Sequence, residues 1–261
     1  MAKLFVSSIV FVFLLGTEIC QGSENAFLGA SGVHFGHVVQ TNRFKRQSSL
    51  KILTAALCVR DCATEFKHDI QKKVGLRISQ VTNGAVNRKL FEDDKFEGTC
   101  RAYLKLDECI TKCGYFPQKH ILETAFKPFE YMCKARYDDF LEAAPCYRNA
   151  SETLESKCDN ACGGPMFVRD QIKQMERAQL MGDGEKLLEI MDNLCKHIAC
   201  SNDCELPVYD EVCGSEEPGQ LLEDLTAYTM LNSKKLMQQS GLIHMFPDSC
   251  NQLATPDADQ I

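Results

Sequence analysis

The chain has 261 residues, of which 44% are hydrophobic and 25% are charged, and its formal net charge at pH 7 is −7. That length is sufficient to bury a hydrophobic core. An acidic chain without a basic face argues against binding to nucleic acids or to anionic membranes.

The N-terminus is typical of a secretory signal peptide. Lys3 precedes an apolar run over residues 4–15, and the small residues that follow predict cleavage after Gly22. The run is short for a bilayer span, and a retained membrane anchor is the alternative interpretation. No later stretch approaches about 18 uninterrupted apolar residues. We therefore expect a secreted, extracellular protein with no membrane span once residues 1–22 are removed.

Residues 23–46 are predicted to form a pro-segment or a disordered linker. They are rich in glycine and lack helical periodicity, and they end in a basic motif made by Arg43, Lys45 and Arg46. This motif resembles the recognition sequence of furin-like convertases, and cleavage would leave Gln47 as the new N-terminus. The alternative is an ordinary basic loop, because short basic motifs give many false matches.

Four Cys-x3-Cys pairs organise the rest of the chain. Residues four apart on a helix lie on the same face, so each pair can bind a neighbouring helix through two bridges. Cys20 is removed with the signal peptide, and an even number of cysteines remains. An even cysteine count in a secreted chain favours disulfides over a zinc site. The predicted disulfide cysteines are Cys58, Cys62, Cys100, Cys109, Cys113, Cys133, Cys146, Cys158, Cys162, Cys195, Cys200, Cys204, Cys213 and Cys250.

Helix geometry narrows the choice of partners. Antiparallel helices place the first cysteine of one pair opposite the last cysteine of the other, and consecutive helices usually reverse direction. Parallel packing would instead join first to first and last to last. The residue ranges 47–150 and 151–261 contain seven cysteines each, so at least one bridge must join the two halves, and their similar order suggests an ancient duplication. The antiparallel arrangement predicts the bridges Cys58–Cys113, Cys62–Cys109, Cys158–Cys204 and Cys162–Cys200.

Apolar residues recur at helical spacing along the chain, and strand-like alternation is nowhere sustained, so we predict an all-α fold. The expected cysteine-rich helical domain is 47–250, built from disulfide-stapled helix hairpins, and 251–261 is a flexible tail. Glycine and proline residues mark the predicted helix ends. The segments between helices at 75–88, 205–219 and 241–250 are expected to be irregular. The predicted helices are about 50–74, 89–112, 118–127, 128–143, 151–162, 166–180, 185–201 and 220–239.

No catalytic or metal-binding pattern is present in the sequence, and we expect neither an enzyme nor a cofactor. It contains no Gly-x-Ser-x-Gly elbow, no His-Glu-x-x-His helix and no phosphate-binding glycine-rich loop. His197, between Cys195 and Cys200, would suit a metal ion or a Cys–His nucleophile, but we interpret it as a helix-surface histidine beside oxidised cysteines. The acidic pairs 138–139 and 216–217 are not accompanied by other residues of a catalytic site, and we interpret them as solvated surface carboxylates.

One standard N-glycosylation sequon begins at Asn149 and lies in a predicted loop between helices. Attachment of chondroitin generally needs Ser-Gly with acidic neighbours. The dipeptides at 31–32 and 240–241 lack such neighbours. We therefore expect an N-linked glycan and no chondroitin chain.

Three sequence blocks carry a resemblance to a known family. The segment Leu57-Cys58-Val59-Arg60-Asp61-Cys62, the spacing Cys100-x8-Cys109-x3-Cys113 and the run from Cys158 to Gly164 together resemble the nematode chondroitin proteoglycan 4 domain family. The resemblance covers most of 50–250 and implies a non-enzymatic protein of egg-associated or other extracellular matrix.

Two hypotheses about function follow from the residues and the resemblance. The first is a structural or binding component of extracellular matrix or secreted fluid, whose partner is an unknown extracellular protein or glycan. The second is a convertase-processed secreted ligand or effector, and the basic motif at 43–46 is its main support.

Overall fold

The computed structural model describes residues 42–77, 88–114 and 119–254, with side chains from Thr54 onward. Within these ranges the chain is helical and forms no β-strand, which confirms the predicted all-α class. The signal peptide 1–22, most of the pro-segment 23–46, most of the loop 75–88 and the end of the tail 251–261 lie outside the described residues.

The first half is built on a helix hairpin with a short helical segment beside it. Helix α1 (Asn42–Asp69) continues into a π-helical turn (Ile70–Val74), and a 3₁₀ turn (Arg88–Phe91) leads into α2 (Lys95–Lys112). Gly98 of α2 lies against this turn, because a Cβ atom there would be 3.1 Å from Val74 Cγ2. The glycine therefore permits close packing of α2 against the turn that follows α1. The remaining elements of this half are α3 (Lys119–Ala125), α4 (Lys127–Glu130), a π-helical turn (Tyr131–Ala135) and α5 (Tyr137–Asn149).

The second half begins with a short helical stretch, continues with three longer packed helices and ends with two short helical elements. A helical stretch comprises α6 (Ser151–Leu154), a π-helical turn (Glu155–Asp159) and α7 (Asn160–Cys162). Gly163 and Gly164 have φ values of +96° and +54°, which glycine adopts without strain, and they separate this stretch from the next helix. The longer helices are α8 (Gly164–Met181), α9 (Gly184–Cys213) and α10 (Glu217–Gln239), followed by a 3₁₀ turn (Ile243–Met245) and α11 (Asp248–Leu253).

Two proline-based boundaries predicted from the sequence are wrong. Helix α5 runs through Pro145 to Asn149, and α9 runs through Pro207 to Cys213, so 205–219 is largely helical. Both prolines are exposed, as are Leu141 and Asp203 four residues earlier. The carbonyl groups that lose a helical donor at these prolines are therefore on the solvent side, where water can replace the missing hydrogen bond.

Three further boundaries differ from the prediction. The backbone is already helical from Asn42, so 42–46 of the predicted pro-segment belongs to α1 instead of preceding it. The predicted loop 241–250 contains a 3₁₀ turn and the start of α11. Helix α11 extends to Leu253 and thereby includes the first residues of the predicted flexible tail. Cys250, buried on α11 and bridged to Cys195, gives this short helix a fixed partner.

The hydrophobic core passes without interruption from one half to the other. Its centre is a group of aromatic rings contributed by the 3₁₀ turn before α2, by α2 itself, by α5 and by α9. Tyr147 of α5 lies 5.4 Å from Tyr209 of α9, measured between ring centroids. The rings of this group are Phe91, Phe96, Phe140, Tyr147 and Tyr209.

Candidate functional site

The first Cys-x3-Cys hairpin joins α1 to α2 through two bridges, Cys58–Cys113 and Cys62–Cys109. The Cα atoms of the bridged residues are 5.4 and 5.8 Å apart, within the normal range for a disulfide. The first residue of one pair bonds to the last of the other, so α1 and α2 are antiparallel. This confirms the pairing predicted for the first hairpin.

The second hairpin has the same pattern of bonds. Cys158–Cys204 and Cys162–Cys200 join the helical stretch 151–162 to α9, with Cα separations of 5.6 and 5.8 Å. These helices are also antiparallel, as predicted. Two bridges one turn apart determine both the direction and the register of each helix pair.

Three further bridges complete the network. Each half has a cysteine that precedes its second Cys-x3-Cys pair, and this residue forms a third bridge within the half, Cys100–Cys133 in the first and Cys195–Cys250 in the second. The bonding orders of the two halves agree only in part, because Cys133 is the sixth of the seven cysteines in its half and Cys250 is the seventh in its own. Cys146–Cys213 joins α5 to α9 across the halves, which confirms the bridge between halves that the odd cysteine counts required.

The sulfur atoms of the first hairpin are crowded. The Sγ atoms of Cys58, Cys62 and Cys113 all lie within 4.8 Å of one another, a separation that a single metal ion could span. Metal coordination by cysteine needs a thiolate, however, and all three sulfurs are bonded in disulfides. With its bridges intact, this cluster therefore holds the two helices together and offers no thiolate ligand.

His197 is buried, which corrects its interpretation as a helix-surface residue. Its side chain is 5% exposed, its Nδ1 atom lies 2.6 Å from the carbonyl oxygen of Cys162, and its ring centroid is 4.6 Å from that of Phe167. The histidine thus connects α9 to the end of α7 and the start of α8 inside the second hairpin. The burial of His197 could not be predicted from the sequence. It depends on the segment around Cys162, which the two disulfides of the second hairpin hold against α9.

A buried carboxylate was missed by the sequence interpretation. Asp69 at the end of α1 lies 2.6 Å from Lys73 Nζ and 3.4 Å from Lys105 Nζ of α2. The hydrogen bond from Lys73 outweighs burial and holds the pKa of Asp69 below its usual value. The carboxylate is therefore ionised at neutral pH and links the two helices of the first hairpin. This contribution to stability is present above the ordinary aspartate pKa and is lost as the pH falls through the lowered one.

The acidic pairs identified in the sequence lie on the surface. Asp138 and Asp139 are exposed, and Asp139 forms an ion pair with Arg136. Glu216 and Glu217 are also exposed, at the start of α10. Neither pair is buried, which agrees with the prediction that both are solvated.

Comparison with known families gives a match over most of the chain. Residues 58–260 match the family model described as "Uncharacterized protein B0403.3". The chain belongs to this family. The matched range contains all seven disulfides, and the nematode name of the family is consistent with the resemblance to nematode cysteine-rich proteins. The match does not confirm the narrower assignment to the chondroitin proteoglycan 4 domain. No curated protein and no solved structure matches the chain.

The family match begins after the predicted processing motif and includes the predicted glycosylation site. Asn149 is the last residue of α5, and it is exposed at the junction with α6 rather than in an extended loop. Arg43, Lys45 and Arg46 lie in the first turns of α1, and their side chains are outside the described residues. No helix in the described ranges has the length and apolar character needed to span a membrane.

Proposed function

We propose that this protein is a secreted, non-enzymatic module that acts through its outer surface, as a structural or binding component of extracellular matrix or secreted fluid. The observation that carries the proposal is the disulfide network, which joins all 14 cysteines from Cys58 to Cys250. Disulfides form and persist in oxidising compartments and are rare in the cytosol.

The use of the buried polar groups supports a non-enzymatic role. Asp69 connects α1 to α2, His197 connects α9 to α7, and the Tyr147 hydroxyl donates a hydrogen bond to the carbonyl oxygen of Pro218. Each of these groups joins two parts of the fold. A catalytic group would instead be held in a cleft and directed towards a substrate.

The properties of the scaffold suit an extracellular environment. Seven cross-links keep the helices in place when the surroundings vary, and the acidic chain favours solubility. The resemblance to the chondroitin proteoglycan 4 domain supports a role in matrix, with an extracellular protein or glycan as partner. We do not expect a chondroitin chain, because Ser240-Gly241 follows glutamines and precedes apolar residues.

A second candidate function is that of a processed ligand or effector. The basic motif that ends at Arg46 lies 12 residues before Cys58, the first bridged cysteine. Cleavage after Arg46 would therefore shorten α1 and leave every disulfide intact. The motif lies within helical backbone, so a protease that binds an extended substrate would have to unwind the first turns of α1.

Expression of the full-length chain in cultured animal cells tests these proposals. We expect the protein in the medium, with a mass 14 hydrogens below that of its fully reduced form. Iodoacetamide should add no label to the denatured, unreduced protein. A chain that lacks residues 1–22 is the matched control and should remain inside the cells.

The same mass spectrum distinguishes the two candidates. A mature chain that begins at Ser23 would argue against the processed ligand, whereas one that begins at Gln47 would support it. Retention of the full-length chain inside the cells with reduced cysteines would contradict secretion itself.

We also expect an N-linked glycan on the secreted protein. Peptide-N-glycosidase should remove a discrete mass, and Asn149→Gln should never acquire that mass, because Asn149 is exposed at the end of α5. Asn251→Gln, which changes a half-buried asparagine outside any sequon, is the control and should leave the glycan in place. Chondroitinase should change neither protein, and a broad high-mass smear that it removes would contradict this expectation.

A further inference from the structure

The two hairpins have the same bonding pattern but differ in the distances between their sulfur atoms. In the first hairpin, Cys62 Sγ and Cys113 Sγ belong to different bridges and lie only 3.5 Å apart. Cys58 Sγ completes a trio within 4.8 Å, and the other described cysteines contain no such trio. A thiolate formed at Cys113 would therefore be in contact with a sulfur of the adjacent bridge.

The burial of these residues separates inner sulfurs from outer ones. Cys62 and Cys113 are buried, whereas Cys58 and Cys109 are half-buried at the edge of the helix pair. A thiol in solution can therefore approach the outer cysteine of either bridge, and attack there expels the inner cysteine as a thiolate. The expelled inner cysteine is the one that touches the second bridge.

We propose that the first hairpin is a thiol–disulfide exchange site that accepts a small thiol, or a cysteine of a partner, at one outer cysteine and releases the other outer cysteine as a free thiol. An incoming thiolate attacks Cys58 Sγ, forms a mixed disulfide and breaks the Cys58–Cys113 bond. The Cys113 thiolate then attacks Cys62 Sγ, and the new Cys62–Cys113 bond replaces Cys62–Cys109. Cys109 leaves as a thiolate and takes a proton from water.

The sequence of steps is balanced and needs no separate oxidant. One thiol enters and one thiol appears, and the number of disulfide bonds stays constant. Attack at Cys109 gives the mirror result, in which Cys58 is the residue released. The new inner bridge requires the Cα atoms of Cys62 and Cys113 to approach within about 6.8 Å. Cys113 directly follows the last residue of α2, where backbone movement disturbs the helix least.

Reduced glutathione is a suitable probe for the folded, oxidised protein. After acid quenching, alkylation and peptide mapping, we expect glutathione on one outer cysteine and the alkyl label on the other, Cys58 and Cys109 in either order. These residues belong to different native bridges, so simple opening of one bridge cannot produce this pair. Glutathione and label on the same native bridge, or no adduct, would overturn the proposal.

A cysteine variant tests the internal step without an added thiol. Cys58→Ser leaves Cys113 as a free thiol beside the Cys62–Cys109 bridge. We expect at least about a tenth of the label on Cys109, which corresponds to a free-energy difference between the two bridged forms of no more than about 1.4 kcal/mol. The exchange should become faster as the pH rises, because the thiolate is the reacting species.

The second hairpin provides the matched control. Cys158→Ser leaves Cys204 free beside Cys162–Cys200, and the label should stay on Cys204, because these sulfurs do not form a close trio. Far-UV circular dichroism and the other five native bridges show whether each variant has folded. Label confined to Cys113 in a folded Cys58→Ser protein would overturn the proposal. If that variant does not fold, the glutathione experiment on the unaltered chain tests the proposal instead.

Discussion

Replacement of Cys146 and Cys213 together by serine is expected to lower the free energy of unfolding by about 2–5 kcal/mol. Among the described residues, this is the bridge that joins the two halves, and its cysteines are 67 residues apart in the sequence. Its loss gives the unfolded chain more freedom, and each half retains three bridges of its own. We therefore also expect urea unfolding, followed by far-UV circular dichroism, to become broader or to separate into two transitions.

The bridge Cys100–Cys133 provides the comparison for this experiment. It lies within the first half and spans 33 residues, so its replacement by two serines should also destabilise the protein but leave the halves linked. Unfolding of that variant should remain a single transition. If the Cys146→Ser/Cys213→Ser protein unfolds at the same urea concentration and as sharply as the unaltered chain, the two halves are held together by noncovalent packing alone.

Replacement of Tyr147 by alanine is expected to cost about 3–5 kcal/mol of stability, as for other large buried aromatic residues. Its side chain is 1% exposed, and its ring centroid lies 4.8 Å from that of Phe91 and 5.4 Å from that of Tyr209. Truncation would leave a cavity where the first half packs against α9. Chemical denaturation of the purified protein measures the loss.

Tyr147→Phe measures the contribution of the hydroxyl group to stability separately from that of the ring. The hydroxyl donates to the carbonyl oxygen of Pro218 at 2.9 Å, and burial raises the pKa of Tyr147 so that the group stays neutral and protonated. Loss of this hydrogen bond should cost about 0.5–1.5 kcal/mol. Leu180→Ala is the control, because that side chain is 88% exposed and its truncation should change stability by less than about 0.5 kcal/mol. Equal effects of Tyr147→Ala and Leu180→Ala would contradict the packing described above.

The disulfide framework was largely determined by the sequence itself. A spacing of four places two cysteines on one helical face. Only an antiparallel neighbour places the first cysteine of one pair opposite the last cysteine of the other. Four of the seven bridges followed from that rule. The odd cysteine count in each half required a bridge between halves, but not its identity. The partners of Cys100, Cys146 and Cys195 depend on how non-adjacent helices pack, and local spacing carries no information about that packing.

The tertiary structure decided the features that depend on contacts between distant helices. Pro145 and Pro207 continue their helices because each faces water, and a local rule about proline cannot distinguish an exposed position from a buried one. His197 is buried because the second hairpin brings Cys162 and Phe167 against it. The sulfurs of Cys62 and Cys113 lie 3.5 Å apart, and the described cysteines of the second hairpin form no comparable trio although both hairpins share one spacing. Spacing along the chain therefore determined which helices are joined, and three-dimensional packing determined which side chains are buried and which sulfurs of different bridges lie in contact.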